Sequence, residues 1–412
     1  MVFPIKPASG RLFLLILVAA TAMGPMALNI FLPSMPGIQA VFAADYGTVQ
    51  LTLTLYLLSL GVAQIVYGPI SDRIGRRPAL LFGVGLYVLG GLLCIAAWTI
   101  EILILGRILQ AIGGCAGLVI SRAMVRDRFD RADAAMMIGR VAMVMSIVPM
   151  VSPALGGLLD QLAGWRASFI ACMLFGLFTF ILILLILPET LQRDETPAAG
   201  TPVPTGWTFR AFLADHWNLL RNPAFLGYAL QTSCSTGVFF SFISGAAFVV
   251  VTVMGFPPLV YGICFVLVTI GFMSGSFFTS RMARRLGNDR MMVVAAVLSL
   301  LGSCLVGVGT WISATNPVLL FLPMMIVAAS NGIAMPNGLA GAVSVNPHRA
   351  GTASGIVGCM QMVVGGIASQ IVGHWQDMQP SALPMIFTMI LFGLGSAVAC
   401  WISASARASL KE

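Results

Sequence analysis

Long apolar stretches recur along the whole sequence and limit its possible folds more than any other feature. Each approaches the length of about 20 residues with which an α-helix crosses the hydrocarbon core of a bilayer. The twelve stretches lie near residues 12–30, 47–68, 79–98, 101–122, 135–158, 167–187, 223–252, 258–279, 291–313, 318–341, 351–373 and 383–404. The sequence therefore predicts an all-α membrane protein with twelve transmembrane helices.

The composition excludes a water-soluble globular protein. Hydrophobic residues make up 58% of the chain, charged residues only 9%, and the mean hydropathy is +0.97. Soluble domains carry about 25% charged residues, which cover the surface that faces water. The net charge of +8 does not indicate a nucleic-acid partner, because the basic residues lie between the apolar stretches. The partner that this composition predicts is the lipid bilayer.

The basic residues also predict the orientation in the membrane. If the N-terminus is cytoplasmic, 20 of the 22 Lys and Arg residues fall on the cytoplasmic side of the predicted spans. Arg166 falls on the outer side, and Arg107 lies within the fourth span. Positive residues are enriched in cytoplasmic loops, so we expect both termini in the cytoplasm.

One long polar segment divides the spans into two sets of six. Residues 189–221 begin with a part rich in Pro and Gly, which is typical of a flexible linker. Residues 207–220 mix aromatic with charged side chains and predict a short amphipathic helix at the cytoplasmic interface. We expect an N-terminal six-helix bundle over residues 1–188, the linker over 189–221 and a C-terminal six-helix bundle over 222–412.

A short internal repeat relates the two halves. The segment after the second span, residues 68–77, and the segment after the eighth span, residues 276–285, carry three arginines at the same spacing. They are Arg73, Arg76 and Arg77 in the first half and Arg281, Arg284 and Arg285 in the second. Because the repeat lies at the same point of each half, it indicates an internal duplication and two pseudo-symmetric bundles.

The segment 68–77 also resembles the signature loop between the second and third helices of the major facilitator superfamily. The span count and the central linker agree with that family, so the resemblance covers essentially the whole chain. It implies the major facilitator fold and a gate that changes with conformation. The gate residues on this chain are Gly68, Asp72, Arg73, Gly75, Arg76, Arg77 and, at the end of the fourth span, Asp127.

The charged gate residues have a physical role that can be argued from their types. Asp72 can accept hydrogen bonds from the N-terminus of a neighbouring helix and pair with Arg73 or Arg126. Such a charge cluster can hold the cytoplasmic end closed in one state and break in the other. Asp127 is a candidate for a proton-linked acid, with a solvated ion pair as the alternative. The arginines can also serve only to set the topology.

Two further stretches resemble the drug/proton antiporter branch of that superfamily. Residues 107–114 are similar to its fourth-helix arginine motif, and residues 152–157 are similar to its fifth-helix antiporter motif. The end of the first span, together with residues 121–127, resembles the bicyclomycin and chloramphenicol resistance (Bcr/CflA) subfamily. The resemblance implies that the antiporter motif seals the protein against leak, with ordinary packing of a kinked helix as the alternative. The motif residues on this chain are Pro153, Gly156 and Gly157.

The first span departs from the subfamily at one position. The subfamily carries an Asp where this chain has Asn29, and Asn does not exchange a proton in the working pH range. All fourteen Asp and Glu residues lie in predicted loops or at span ends. The subfamily's proton-coupling acid therefore has no counterpart here in the middle of a span.

Arg107 is the deepest charge in the predicted spans. It lies six residues after Glu101, which is roughly 9 Å along a helix. A charge at such a depth costs at least about 2.5–3.5 kcal/mol on insertion scales, so it should face a wet cavity or find a partner. We expect it to bind an acceptor group on the substrate or to substitute electrostatically for the proton. The alternative is a structural arginine that bonds backbone carbonyls.

Polar side chains inside spans should face protein or water rather than lipid. In the family fold the first, fourth, seventh and tenth helices line the central cavity, so Asn29 and Arg107 are expected to face each other there. Ordinary hydrogen bonds between helices are the alternative for these residues. The substrate-cavity candidates are Asn29, Arg107, Gln110, Gln231, Asn331 and Gln361.

The chain shows no pattern of an enzyme, a metal site or a nucleotide site. It has no nucleophile–base constellation and no Walker loop, and its eight cysteines are scattered through apolar runs as packing residues. We expect no metal and no cofactor. The resemblance implies the proton gradient as the driving force.

These observations predict a secondary exporter of small amphipathic compounds, such as amphenicol-like antibiotics, that works by alternating access in exchange for protons. An exporter of a carboxylate-bearing metabolite, amino acid or siderophore is the first alternative, and a membrane sensor without transport is the second. The predicted partners are lipid, a small-molecule substrate and protons. We expect a monomer in the bacterial inner membrane.

Overall fold

The computed structural model describes residues 10–191, 217, 219–313, 315–346 and 350–408, and this part of the chain is almost entirely helical. The helices are α1 Gly10–Ile30, α2 Met35–Phe42, α3 Tyr46–Ile74, α4 Arg76–Ala96, α5 Ile100–Arg128, α6 Arg131–Ala163, α7 Arg166–Ile186, α8 Pro223–Phe248, α9 Pro258–Ile312, α10 Pro317–Val345, α11 Ala350–Met378 and α12 Leu383–Ala408. Most of the predicted linker, with most of its amphipathic helix, lies outside the described residues.

The helices account for the twelve predicted spans. Ten stretches of the described chain are long and apolar enough to cross a membrane, and α1 with α2 forms one of them. Helix α9 has 55 residues, roughly 80 Å of helix, which is too long for one crossing. It divides at Gly287, whose φ of 75° is not helical, into two arms. Helix α6, with 33 residues, is long enough for the remaining predicted span, although its apolar part Ile147–Ala163 is shorter than the ten stretches.

The predicted loops 68–77 and 276–285 are helical for most of their length, which corrects our placement of the span ends. Helix α3 continues to Ile74, and only Gly75, with a φ of 109°, separates it from α4. In the second half the helix continues through all three arginines to the break at Gly287. The chain reverses at one glycine in each half, because glycine tolerates positive φ angles.

Small residues let the helices of each half approach closely. In the first half α1 packs on α5, α6 and α7, and in the second half α8 packs on α10, α11 and α12. Gly24 of α1 faces Gly114 of α5, where an added Cβ would lie 3.4 Å from the Gly114 carbonyl oxygen. Glycines at such crossings allow the van der Waals packing that holds helices together in lipid.

Two helix pairs join the halves. Helix α3 of the first half packs along α11 of the second, and α6 packs along the first arm of α9. The surface of the other helices carries many exposed large apolar side chains, such as Phe82, Leu185, Phe277 and Leu391. Such a surface matches a lipid environment rather than water.

Candidate transport site

Arg107 lies in the interior of the first half, where α5 faces α1 and α3. Its side chain is fully buried. The guanidinium carbon lies 4.0 Å from the ring centroid of Phe31 and 4.2 Å from that of Tyr56, with Phe169 at 5.9 Å. Cation–π contacts are worth about 2 kcal/mol when desolvated, so two close rings offset much of the insertion cost of this charge.

The hydrogen bonds of Arg107 use only one side of the guanidinium. Nη1 donates to the carbonyl oxygen of Ala27 at 2.8 Å and to Oε1 of Gln110 at 3.0 Å. Nε and Nη2 have no hydrogen-bond partner in the described part of the chain, and neither has Nε2 of Gln110. The Nε–Nη2 edge is the side with which arginine binds planar acceptors in a bidentate manner. No carboxylate of the described residues contacts it.

Asn29 and Arg107 do not bond each other in this conformation. Nδ2 of Asn29 donates to the carbonyl oxygen of Pro25 at 2.7 Å, within its own helix. Arg107 instead reaches Ala27, two residues before Asn29. The two predicted cavity residues are therefore neighbours without a direct hydrogen bond.

The other cavity candidates lie in the second half and are nearly buried. Nε2 of Gln231 donates to the carbonyl oxygen of Met292 at 2.6 Å, which ties α8 to the second arm of α9. Nδ2 of Asn331 donates to the carbonyl oxygen of Ser235 at 3.2 Å and so ties α10 to α8. Gln361 is 7% exposed on α11. None of the three hydrogen-bonds to Arg107, and their role in a cavity stays a prediction.

Arg76 is the centre of the predicted gate cluster. Its Nε donates to Oδ2 of Asp127 at 2.8 Å, and its Nη1 donates to Asp72 and, at 2.7 Å, to Ser71 Oγ. The cluster joins the ends of α3, α4 and α5. We expected Asp72 to pair with Arg73 or Arg126 and did not predict its ion pair with Arg76. Asp72 is 62% exposed and Asp127 only 22%, so the Asp127 pair is less screened by water.

Glu189 completes the cluster, and the sequence analysis missed it. Its Oε1 accepts from the backbone N–H of Arg76 at 3.0 Å, and its Oε2 from that of Arg77 at 3.1 Å. Glu189 therefore caps the N-terminus of α4. Its position directly after the sixth span, on the same predicted side as residues 68–77, was the signal that could have found it.

The antiporter-motif glycines lie where α6 crosses two other helices. A Cβ on Gly156 would overlap the carbonyl oxygen of Ile30 in α1. A Cβ on Gly157 would lie 2.8 Å from the carbonyl oxygen of Pro258, at the start of α9 in the other half. Pro153, on the same helix, faces Gly262 of α9. The motif thus lets α6 pack closely on α1 of its own half and on α9 of the other half.

Comparison with known proteins identifies the family. The family model described as Major Facilitator Superfamily matches residues 17–369. The chain belongs to the major facilitator superfamily. It is a transporter and not an enzyme, and its helices have the major facilitator fold.

Relatives within the superfamily include drug-resistance proteins. The chain is 32% identical to an uncharacterized MFS-type transporter of Bacillus subtilis, over 85% of this chain and 86% of that protein. It is 28% identical to a bicyclomycin resistance protein homolog of Haemophilus influenzae, over 92% of each. It is 29% identical to a chloramphenicol resistance protein of Pseudomonas aeruginosa, over 85% and 81%. The chain therefore resembles superfamily members of the Bcr/CflA efflux type.

Among solved structures, a bacterial homolog of the human lysosomal transporter Spinster, in an inward-facing and unoccupied conformation, has the same fold. It matches with a TM-score of 0.75 and 16% identity, over 98% of both chains. At this identity the match supports the fold alone.

The two ends of this major facilitator protein differ in how the halves meet. Between Gly47 and Gln64, α3 contacts α11, and a Cβ on Gly373 or Gly358 would overlap Gln50 or Gln64. Beyond that point a Cβ on Gly68, Gly351 or Gly355 would meet nothing within 4 Å. The close contacts of these two helices thus lie toward the end that carries Asp377, which we call the Asp377 end. The three glycines without such contacts lie toward the opposite end, which we call the Gly68 end.

Proposed function

We propose that this transporter exports small amphipathic compounds of the amphenicol type from the cytoplasm in exchange for protons. The bicyclomycin and chloramphenicol resistance relatives support drug efflux as the class of activity.

The observation that carries the proposal is that the Nε–Nη2 edge of Arg107 makes no hydrogen bond with the described residues, although two aromatic rings lie close to the guanidinium. The guanidinium carbon lies over the rings of Phe31 and Tyr56, while Nε and Nη2 lack partners in the described part of the chain. An aromatic compound with a planar acceptor, such as a nitro or carbonyl group, matches both features. Arg107 is closed off in this conformation, so binding requires one ring to move aside.

The charge around Arg107 argues against strongly cationic cargo. Asn29 is neutral, and no carboxylate of the described residues contacts the arginine. A dication there would meet an uncompensated positive charge in a medium that screens it poorly. Proton exchange rests on the family resemblance, and Asp72 and Asp127 around Arg76 are the acids that we propose for it.

A carboxylate-bearing metabolite is the second candidate cargo. The Nε–Nη2 edge of Arg107 has the geometry for two parallel hydrogen bonds to a carboxylate. Such a cargo would also neutralise the buried charge. The two candidates differ in whether transport requires an anionic group on the substrate.

We also propose the orientation and the organisation. The arginine-rich Gly68 end faces the cytoplasm, both termini lie on that side, and the protein functions as a monomer in the bacterial inner membrane. In this orientation the described conformation is open toward the cytoplasm. The linker over residues 189–221 separates bundles of residues 1–188 and 222–412.

Reconstitution into liposomes that contain a pH-sensitive dye tests the proposal. A chloramphenicol gradient should drive proton movement with the native protein, and the Arg107→Ala variant should lose it. Arg166→Ala is the matched control, because Arg166 also stacks on an aromatic ring and bonds backbone carbonyls but is exposed. The control should transport normally.

Other results would change the conclusion. Chloramphenicol flux without proton movement contradicts antiport. An absence of amphenicol flux, with flux of a carboxylate compound that Arg107→Ala abolishes, favours the second candidate. Equal loss of activity in Arg166→Ala would show that the effect of Arg107→Ala is not specific to the site.

A further inference from the structure

Asp377 bonds across the two halves at the Asp377 end. It lies in the last turn of α11 in the second half. Its Oδ1 accepts from the backbone N–H of Tyr46 at 2.6 Å, and its Oδ2 accepts from that of Gly47 at 2.7 Å. These are the first two amides of α3 in the first half. One carboxylate therefore binds the N-terminus of a helix that belongs to the other bundle.

The carboxylate of Asp377 acts as an N-terminal cap of α3. The first four amides of an α-helix have no partner within the helix, and they carry a partial positive charge. Asp45 is the residue at the N-cap of α3, but its side chain makes no capping hydrogen bond. Asp377 supplies the capping group instead, and short hydrogen bonds to an ionised acceptor are about twice as strong as neutral ones.

A second layer of contacts lies beneath Asp377. The hydroxyl of Tyr46 donates to the carbonyl oxygen of Ser244 at 2.9 Å, and Nε2 of Gln50 donates to the same oxygen at 2.8 Å. The carbonyl oxygen of Gly47 accepts from Nε2 of Gln370 at 3.1 Å. Tyr46 and Gln50 are fully buried, whereas Asp377 is exposed. Asp377 is thus the outermost polar contact over a buried junction of α3, α8 and α11.

Gly47 lets the carboxylate approach. A Cβ at this position would lie 2.9 Å from Oδ2 of Asp377 and 3.2 Å from the Cα of His374, one turn earlier on α11. Any larger residue would push α11 away from α3. At the Gly68 end, by contrast, a Cβ on Gly68, Gly351 or Gly355 would have open space.

We propose that Asp377 is a latch that holds the Asp377 end closed, and that each transport cycle requires its release from the N-terminus of α3. Transport by alternating access demands that this end open while the Gly68 end closes. Opening separates α3 from α11 at their Tyr46–Asp377 contact, so the two charge-assisted hydrogen bonds must break. The latch rests on the transport activity of the family and not on the identity of the cargo.

Cysteine labelling at both ends tests the latch. In a transport-competent background without the eight native cysteines, Ser369→Cys reports on the closed end and Gly355→Cys on the open end. Ser369 is fully buried against Ser244, and a side chain at position 355 has open space. Gly355 also lies three residues before Gly358, on the face of α11 that contacts α3. A maleimide probe then measures both accessibilities without substrate.

Asp377→Ala should raise the labelling rate of Ser369→Cys roughly tenfold, because hydrogen bonds to charged groups are worth about 1.5–3 kcal/mol. It should lower the labelling of Gly355→Cys, because the opposite end closes. Asp377→Asn, which keeps one acceptor without the charge, should lie between Asp377→Ala and the native residue. Asp45→Asn, which removes the neighbouring charge without touching the contact, should change neither rate.

Two results would overturn the latch. Unchanged labelling at both reporters in Asp377→Ala would show that the contact does not hold the end closed. Increased labelling at both reporters would show a loosened fold rather than a shift between two states. The labelling needs no cargo, so neither result depends on whether the proposed amphenicol export is correct, and the liposome assay tests that export separately.

Discussion

Oε1 of Glu189 lies 3.0 Å from the backbone nitrogen of Arg76, although 113 residues separate them in the chain. The same carboxylate accepts from Arg77 and from the amides of Thr190 and Leu191. Glu189 therefore connects the segment that follows α7 to the N-terminus of α4. Arg76 in turn holds the ends of α3 and α5 through Asp72 and Asp127. Through these contacts, Glu189 and Arg76 together connect α3, α4 and α5 with the segment after α7 at the Gly68 end.

Replacing Glu189 with Ala should destabilise the first half by about 1–2 kcal/mol, because two amides of the α4 N-terminus lose their acceptor. Glu189→Gln keeps one acceptor oxygen and should cost less. Thermal unfolding of the purified protein in detergent measures both. Equal melting temperatures for Glu189→Ala and the native protein would show that water replaces the cap without loss.

The two glycines of the gate should respond oppositely to alanine. Gly75 has a φ of 109° and a ψ of 153°, and a Cβ there would lie 2.7 Å from Oε2 of Glu189. Gly75→Ala should therefore cost about 1–3 kcal/mol of stability. Gly68 is helical with open space around it, so Gly68→Ala should be neutral or stabilise by up to about 1 kcal/mol. Melting temperatures of the two purified variants test this, and an equal decrease in both would contradict the prediction.

A bulky residue at position 68 should leave the fold intact and stop transport. Gly61, Gln64 and Gly68 lie on one face of α3, and the first two already contact α11. When the Gly68 end closes, Gly68 must approach the part of α11 that carries Gly351 and Gly355. Gly68→Leu should keep the native melting temperature but lower the transport rate at least about tenfold. Normal transport in Gly68→Leu would show that α3 and α11 do not approach each other at Gly68 when this end closes.

The sequence was sufficient to predict the spans, because membrane crossing depends on local apolar length. A short pattern also singled out the gate arginines and the glycines of α6, and their roles in transport stay predictions. The ends of α3 and α9 were misplaced, because charged residues such as Arg73 and Arg281 were assigned to loops. Helices can extend beyond the bilayer with such residues exposed, and here only Gly75 and Gly287 interrupt them.

Contacts between distant segments could not be predicted from one sequence. Asp377 lies 331 residues after Tyr46, and nothing local distinguishes it from other acids at span ends. A deep position was expected for Arg107, with a wet cavity or a partner beside it. The sequence did not indicate that its neighbours would be the rings of Tyr56, in α3, and Phe31, in the turn after α1. Such pairs depend on how the helices pack, which hydropathy alone does not specify.

Lysine should not replace Arg107, although it carries the same charge. A guanidinium is planar, so it can lie against the rings of Phe31 and Tyr56 while its Nη1 bonds Ala27 and Gln110. An ammonium group is compact and strongly hydrated, and it offers no flat edge for a planar acceptor. Arg107→Lys should therefore lower substrate-driven proton movement nearly as much as Arg107→Ala, by about tenfold or more. The liposome assay measures this, with Arg166→Lys as the matched control. Retained transport in Arg107→Lys would mean that Arg107 acts through its charge alone, and the stacked geometry would then serve packing rather than recognition.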